Sequence, residues 1–133
     1  MNCSMSFDYH SVDVPADFLE TGDPVSSAAS IAFTEGPAAA VDGTVFFSDI
    51  ANNRIMRFDP ATGDTTVFRE PSGRANGLLF DSQGRMLACE GNEWGDDDGN
   101  RRITRTDLST GVVEVLTERF EGARYNAPND IAA

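Results

Sequence analysis

A chain of 133 residues has room for one ordinary domain with one core, and a 40% hydrophobic content with nine Phe suits a folded chain rather than a disordered one. The net charge of −12 argues against nucleic acid and against anionic membrane surfaces, both of which reward Lys and Arg, and it is compatible with binding cations. Two cysteines give no disulfide framework, no cationic and apolar targeting segment opens the chain, and no stretch reaches the ~18 apolar residues of a membrane span, so a cytoplasmic home is the default expectation.

In chain order, Met1 to Ser30 is rich in Ser, Asp and Ala without sustained periodicity, and is expected to be a leader, mobile up to about Pro24. Val25 to Phe33 becomes strand-like at its end, where Ile31 and Phe33 alternate around Ala32. Such a segment can serve as the outer strand that ties a circular sheet protein shut. From Glu35 four strands follow. Pro37 to Val41 leads into Asp42-Gly43, a dipeptide suited to a tight hairpin; Thr44 to Asp49 is rich in β-branched and aromatic residues. Asn52-Asn53 turns the chain into Arg54 to Asp59. Pro60-Ala61-Thr62-Gly63 reads as a type I turn before Asp64 to Phe68.

The same phrase then returns. Gly77 to Asp81, a turn at Ser82-Gln83-Gly84, Arg85 to Glu90, a long insertion, Arg102 to Asp107, a turn at Ser109-Thr110-Gly111 and Val112 to Leu116 repeat it, with residues 71–75 and 118–128 as connectors. Gly36, Gly43, Val45 and Asp49 recur 41 positions later as Gly77, Gly84, Met86 and Glu90, whereas Arg54-Ile55, Gly63 and Val67 recur 48 positions later as Arg102-Ile103, Gly111 and Val115. The difference places seven extra residues between Glu90 and Asn100. A third copy begins at Asn129-Asp130-Ile131. Four short strands per unit of ~40 to 50 residues mark a β-propeller blade. A β-sandwich also uses short strands and Gly turns, but has no reason to repeat one four-strand phrase in register. The expected fold is therefore all-β: a partial β-propeller with two four-stranded antiparallel blades, about Glu35 to Glu70 and Asn76 to Thr117, plus a stub. Two blades and a stub cannot close a ring, so exposed blade edges predict self-association.

One aligned position is polar in every copy: Glu35, Asn76 and Asn129. Each immediately precedes an expected innermost strand, so the three converge on one mouth of the central channel. A carboxylate and two amides are hard oxygen donors of the kind that suit Ca²⁺; as Asn-Gly and Asn-Asp dipeptides they could equally be turn residues. The insertion Glu93-Trp94-Gly95-Asp96-Asp97-Asp98-Gly99-Asn100 has consecutive acids without the alternating positions or closing Glu of an EF-hand, and reads as a solvated acidic lip on the same mouth. Cys89, within Met86-Leu87-Ala88-Cys89, reads as a small buried thiol. His10, the only His, lies in the leader, which excludes a Ser or Cys nucleophile with a His base in this chain.

Phe33-Thr34-Glu35-Gly36-Pro37, Phe46-Phe47-Ser48-Asp49-Ile50, Asn53-Arg54-Ile55, Arg74-Ala75-Asn76-Gly77-Leu78, Leu87-Ala88-Cys89-Glu90 and Asn126-Ala127-Pro128-Asn129-Asp130 together closely resemble the gluconolactonase and senescence-marker-protein (regucalcin-like) family, over about Ile31 to Ala133. The resemblance implies a six-bladed propeller holding a divalent cation, usually Ca²⁺, at the channel mouth, and hydrolysis of a sugar lactone or related ester there. It implies that Glu35 is a metal ligand, that Asn129 lies at the metal or contacts substrate, and that Asn76 lines the substrate pocket. The family's further ligands and its general base would fall beyond Ala133; Asp130 is a candidate base only because it follows Asn129. The chain thus resembles the N-terminal third to half of such an enzyme, itself expected to be inactive. A propeller that binds a ligand without turnover, or an inactive truncated product, are the other readings.

Overall fold

The computed structural model describes residues 29–92 and 99–132. The expectations for the leader up to Ala28, including His10, and for Glu93 to Asp98 of the insertion lie outside the described residues. Residues 29–33 form no strand. The described residues contain no helix. They form two four-stranded antiparallel meanders: β1 (Thr34–Ala39), β2 (Val45–Asp49), β3 (Arg54–Asp59) and β4 (Asp64–Arg69), then β5 (Ala75–Phe80), β6 (Met86–Glu90), β7 (Arg102–Thr106) and β8 (Val113–Thr117). Neither sheet closes on itself. These are two blades of a partial propeller, with β1 and β5 innermost and β5 lying against β1 and β2.

The repetition extends to backbone irregularities that residue types alone do not announce. In the first blade the pairing steps from Glu35↔Ser48 to Ala38↔Phe46, three residues against two, and in the second from Ala75↔Glu90 to Leu78↔Ala88. Each inner strand thus carries one extra residue, a β-bulge, beside its glycine. A second shared bulge separates Ile55↔Arg69 from Met56↔Val67 and Ile103↔Thr117 from Thr104↔Val115. In the first blade it leaves Phe68 as the extra residue. Phe68 packs edge-on against Phe46, ring centroids 5.0 Å apart, and Phe80 of the second blade meets Phe46 at 5.6 Å. With Ile55, Ala75, Leu78, Met86 and Ala88 they fill the space between the blades.

Three sequence expectations need correction. Glu35 and Asn76 do not precede their inner strands but lie within them, because those strands start at Thr34 and Ala75. Asp42-Gly43 is not a two-residue hairpin turn: Ala40 N–H donates to Thr44 O at 2.8 Å and Gly43 N–H to Ala40 O at 3.0 Å, with positive φ at Gly43 but not at Asp42. The loop has three residues, and Asp42 Oδ1 accepts the Thr44 N–H at 3.0 Å, which suits a type I turn closed by a glycine bulge. The connector 118–128 contains a hairpin, β9 (Arg119–Phe120) with β10 (Ala123–Arg124). Its turn places both Glu121 and Gly122 at positive φ, as a type I′ turn demands, and Glu at that position gave no turn signal in the sequence.

A buried carboxylate locks the two blades together. Glu90, at the end of β6, is wholly buried and accepts hydrogen bonds from Thr104 Oγ1 at 2.8 Å, Arg102 Nε at 2.7 Å, Asn100 Nδ2 at 2.5 Å and Nη2 of Arg69, which reaches across from the end of β4. The same Arg69 nitrogen donates to Ser72 O at 2.7 Å. Burial alone would raise the Glu90 pKa. The Asn100 bond, the Arg69 charge, and the Arg102 and Thr104 bonds outweigh it, and the carboxyl is held below its ordinary 4.5. Glu90→Gln leaves two guanidinium groups facing a neutral amide and is expected to lower unfolding free energy by about 3 kcal/mol in chemical denaturation. Because the folded value is depressed, this stability is fully present above the unfolded value and is lost as pH falls through the folded one. Below pH 4.5 the wild type should therefore lose stability more steeply than Glu90→Gln.

Candidate functional site

Two glycines let the inner strands approach one another. Gly36 has φ +52°, and a Cβ there would stand 2.2 Å from the Asn76 carbonyl oxygen and 2.7 Å from the Gly77 Cα. A Cβ on Gly77 would stand 2.5 Å from Asp130 Oδ1 and 2.7 Å from Asn129 O. Such separations are impossible for any other residue, so glycine is what allows backbone to lie on backbone here. Gly77 N–H donates to Asn129 O at 2.7 Å, and Ser48 Oγ donates to Asn76 O at 2.6 Å.

The Gly36 and Gly77 contacts bring Glu35, Asn76 and Asn129 onto neighbouring segments of β1, β5 and the stub. Asn76 is buried, whereas Glu35 and Asn129 are exposed. Residues 128–132 form no strand, yet they lie beside β5 where a third inner strand would begin. Asp130 is exposed; its Oδ1 accepts the Ile131 N–H at 2.9 Å and faces the Gly77 backbone.

The loop above the first blade is tied to the connector that delivers Asn76. Asn53, at φ +55°, accepts through Oδ1 from Ser72 Oγ at 3.2 Å and Arg74 N–H at 2.8 Å, and its carbonyl accepts the Ser72 N–H at 2.8 Å. Arg74 Nη1 donates to the carbonyls of Ile50 at 2.8 Å and Ala51 at 2.9 Å. The sequence marks 71–75 only as a connector. The further signal there is a polar Ser-Gly-Arg run just before an apolar strand. Cys89 takes in the second blade the place Ser48 takes in the first. It is wholly buried, and burial together with the nearby Asp130 charge pushes its thiol up to about 11, which leaves it protonated and unreactive near neutral pH.

Glu35, Asn76 and Asn129 carry one carboxylate and two amides, the oxygen chemistry that Ca²⁺ prefers, and in kind they fit such a cation. In number they fall short of the usual 6 to 8 ligands. Among the described residues no group of three or more His, Cys, Asp or Glu is arranged to hold a metal. A separate cavity of about 240 Å³, lined by Phe46, Phe68, Leu108, Asp42 and Arg57 among others, lies towards the other end of β1 and shares none of the three polar positions.

Comparison with known proteins places this geometry in context. The sequence pattern of the SMP-30/gluconolactonase/LRE-like region matches residues 33–133. A gluconolactonase of Zymomonas mobilis is 31% identical over 121 residues, which cover 85% of this chain and 34% of that protein. Among solved structures, a gluconolactonase from Xanthomonas campestris is similar with a TM-score of 0.64 and 31% identity over 75% of this chain and 31% of that one. The calcium-binding protein regucalcin from Agrobacterium tumefaciens has a TM-score of 0.52 at 20% identity over 65% of this chain and 26% of that one, a likeness of fold alone. The chain spans about a third of the length of the two gluconolactonases.

Close approach can be separated from backbone strain by comparing two glycines. Gly63 also has positive φ, +78°, but a Cβ there would meet nothing within 4 Å. Gly63→Ala should cost about 1–2 kcal/mol for the left-handed conformation alone. Gly36→Ala should cost about 1–3 kcal/mol more, because the methyl must push β1 off β5. Urea unfolding of the two variants measures the difference, and equal losses would mean that β1 does not depend on that contact.

Proposed function

This chain belongs to the SMP-30/gluconolactonase/LRE-like family, and we propose that it forms the first blades of a divalent-metal-dependent lactone hydrolase that opens sugar or related lactones. The observation that carries the reading is the meeting of Glu35, Asn76 and Asn129 on adjoining segments held together at Gly36 and Gly77. In this reading Glu35 and Asn129 supply oxygen donors to a divalent cation, most naturally Ca²⁺ given their hardness. Such a cation, when bound, supplies Lewis-acid stabilisation of the negative charge that grows on a lactone carbonyl oxygen under attack by water.

The chain's own residues account for positioning. Asn76 is buried in β5 with its carbonyl held by Ser48, so its backbone is fixed before any ligand arrives. Its amide can donate to a lactone oxygen or accept from a sugar hydroxyl. Asn129 offers the same chemistry from the neighbouring segment. Asp130 is a carboxylate next to Asn129 and is the one acid in the stub that can take a proton from attacking water. Two such ligand residues, Glu35 and Asn129, leave most of a Ca²⁺ shell to water, so this chain by itself binds the ion weakly and turns over little lactone. Its unpartnered blade faces favour self-association, since Val113, Val115 and Leu116 of β8 and Phe120 of β9 are all exposed.

Calorimetric titration with Ca²⁺ and a lactone-opening assay, run on this chain and on a ring completed by further blades, test the reading. The completed ring should bind the ion and hydrolyse the lactone, and Glu35→Gln should reduce both by at least about tenfold, since it removes a charged ligand. Unchanged turnover in Glu35→Gln removes Glu35 from the site. Lactone binding without turnover in the completed ring would favour a binding role instead.

A further inference from the structure

The sequence contains one Asn-Gly pair, Asn76-Gly77, and it falls where the sheet does not hold it. The β5–β6 register steps from Ala75↔Glu90 to Leu78↔Ala88, so the peptide group between Asn76 and Gly77 lies in the bulge. Its two polar ends are held by neighbouring segments instead. Ser48 Oγ of the first blade donates to the Asn76 carbonyl oxygen at 2.6 Å, and the Gly77 N–H donates to Asn129 O of the stub at 2.7 Å. A peptide group is planar, so these two bonds together fix its rotation.

Asn-Gly is the dipeptide in which asparagine loses ammonia most readily, because glycine has no Cβ to shield its nitrogen or restrict its backbone. The Gly77 nitrogen attacks Cγ of Asn76, the Cγ–Nδ2 bond breaks, and Nδ2 leaves as ammonia with the proton given up by Gly77. Water then adds to either carbonyl of the succinimide and opens it to aspartate or isoaspartate. Nothing is oxidised or reduced. The first step needs the peptide plane to swing until the nitrogen faces Cγ, and both hydrogen bonds oppose that motion.

The two holds are not equally secure. Ser48 is wholly buried within β2. Asn129 is exposed, in residues 128–132 that form no strand, and segments with few buried contacts open at the lowest free energies in a fold.

We propose that Asn76 is a deamidation site latched by the Asn129 carbonyl: opening of the stub alone, with both blades still folded, releases the Gly77 nitrogen. The product alters the mouth in two ways. Aspartate replaces an amide of the polar trio by a carboxylate, and isoaspartate adds a methylene to the main chain where Gly36 leaves no room for one. The inference rests on the backbone of β5 and not on lactone hydrolysis, so a failed lactonase assay leaves it standing.

The test incubates the folded chain at mildly alkaline pH over a series of urea concentrations below the unfolding transition. Aspartate and isoaspartate at position 76 are quantified by peptide mass spectrometry, with the urea-unfolded chain as the reference rate. The rate in the folded chain should rise with urea far less steeply than the unfolding equilibrium does, since stub opening exposes little surface. Hydrogen exchange of the Gly77 amide should show the same shallow slope, because both reactions need that nitrogen released. Ser48→Ala, which removes the other hold, should deamidate at least about fivefold faster. A ring completed by further blades, in which the stub belongs to a whole blade, should deamidate at least about tenfold more slowly. A rate that the transiently unfolded fraction accounts for by itself overturns the proposal, as does a completed ring that deamidates as fast as this chain or a folded Ser48→Ala no faster than wild type. The urea series needs no variant, so it decides the matter even if Ser48→Ala does not fold.

Discussion

Where β1 crosses β5, backbone touches backbone, and the rest of the arrangement follows from that contact. Gly36 lies so close to the Asn76 carbonyl that no side chain fits between them, and Gly77 repeats the situation against Asn129. Strands that meet this closely at their inner ends must splay apart outward, because each has bulky residues further out. The widening gap is what Phe46, Phe68 and Phe80 fill, edge against face in the geometry that aromatic quadrupoles favour. Small residues such as Ala38, Ala75 and Ala88 pack with the larger Phe46, Phe68 and Phe80 in the one core shared by the two blades.

Hydrophobic packing alone would leave the angle between the blades loosely defined, since apolar contacts have little directionality. The Arg69 guanidinium sharpens it. To satisfy Glu90 it must span from β4 to the end of β6 while also holding the Ser72 carbonyl, and few relative orientations of the two sheets allow both. A buried ion pair of this kind contributes little net stability once desolvation is counted, and its value here lies in selecting one orientation. In a chain of net charge −12 it also neutralises an acid where water cannot.

Much of this was legible in the sequence because it is written twice. The strand runs, the recurrent glycines and the polar trio Glu35, Asn76 and Asn129 stand out by recurrence, and a single copy would have left blade and sandwich indistinguishable. The bulges were not legible. They depend on how Gly36 and Phe68 pair across strands, and no residue type announces a slipped register, so Glu35 and Asn76 were placed just before strands that in fact contain them. The small hairpin at Arg119–Arg124 was missed for a related reason: Glu121 adopts a left-handed conformation that its side chain does not advertise. Arg69 also gave no hint of its destination. Its partner lies 21 residues away in sequence, on another sheet, and contacts of that range belong to the fold and not to any local pattern.

The β6–β7 junction is a point at which the fold tolerates change in length. Asp49 and Arg54 pair across four intervening residues, and Glu90 and Arg102 pair in the same register across eleven. Closing a longer loop costs only about 0.6 kcal/mol for each doubling of its length, and here the strand ends are already clamped by the arginine–carboxylate bond. Length at this position is therefore nearly free to drift without disturbing the sheet. A lineage can lengthen, shorten or recompose the rim of the channel at this one junction, and a designer could graft a peptide there, while the blades beneath keep their alignment.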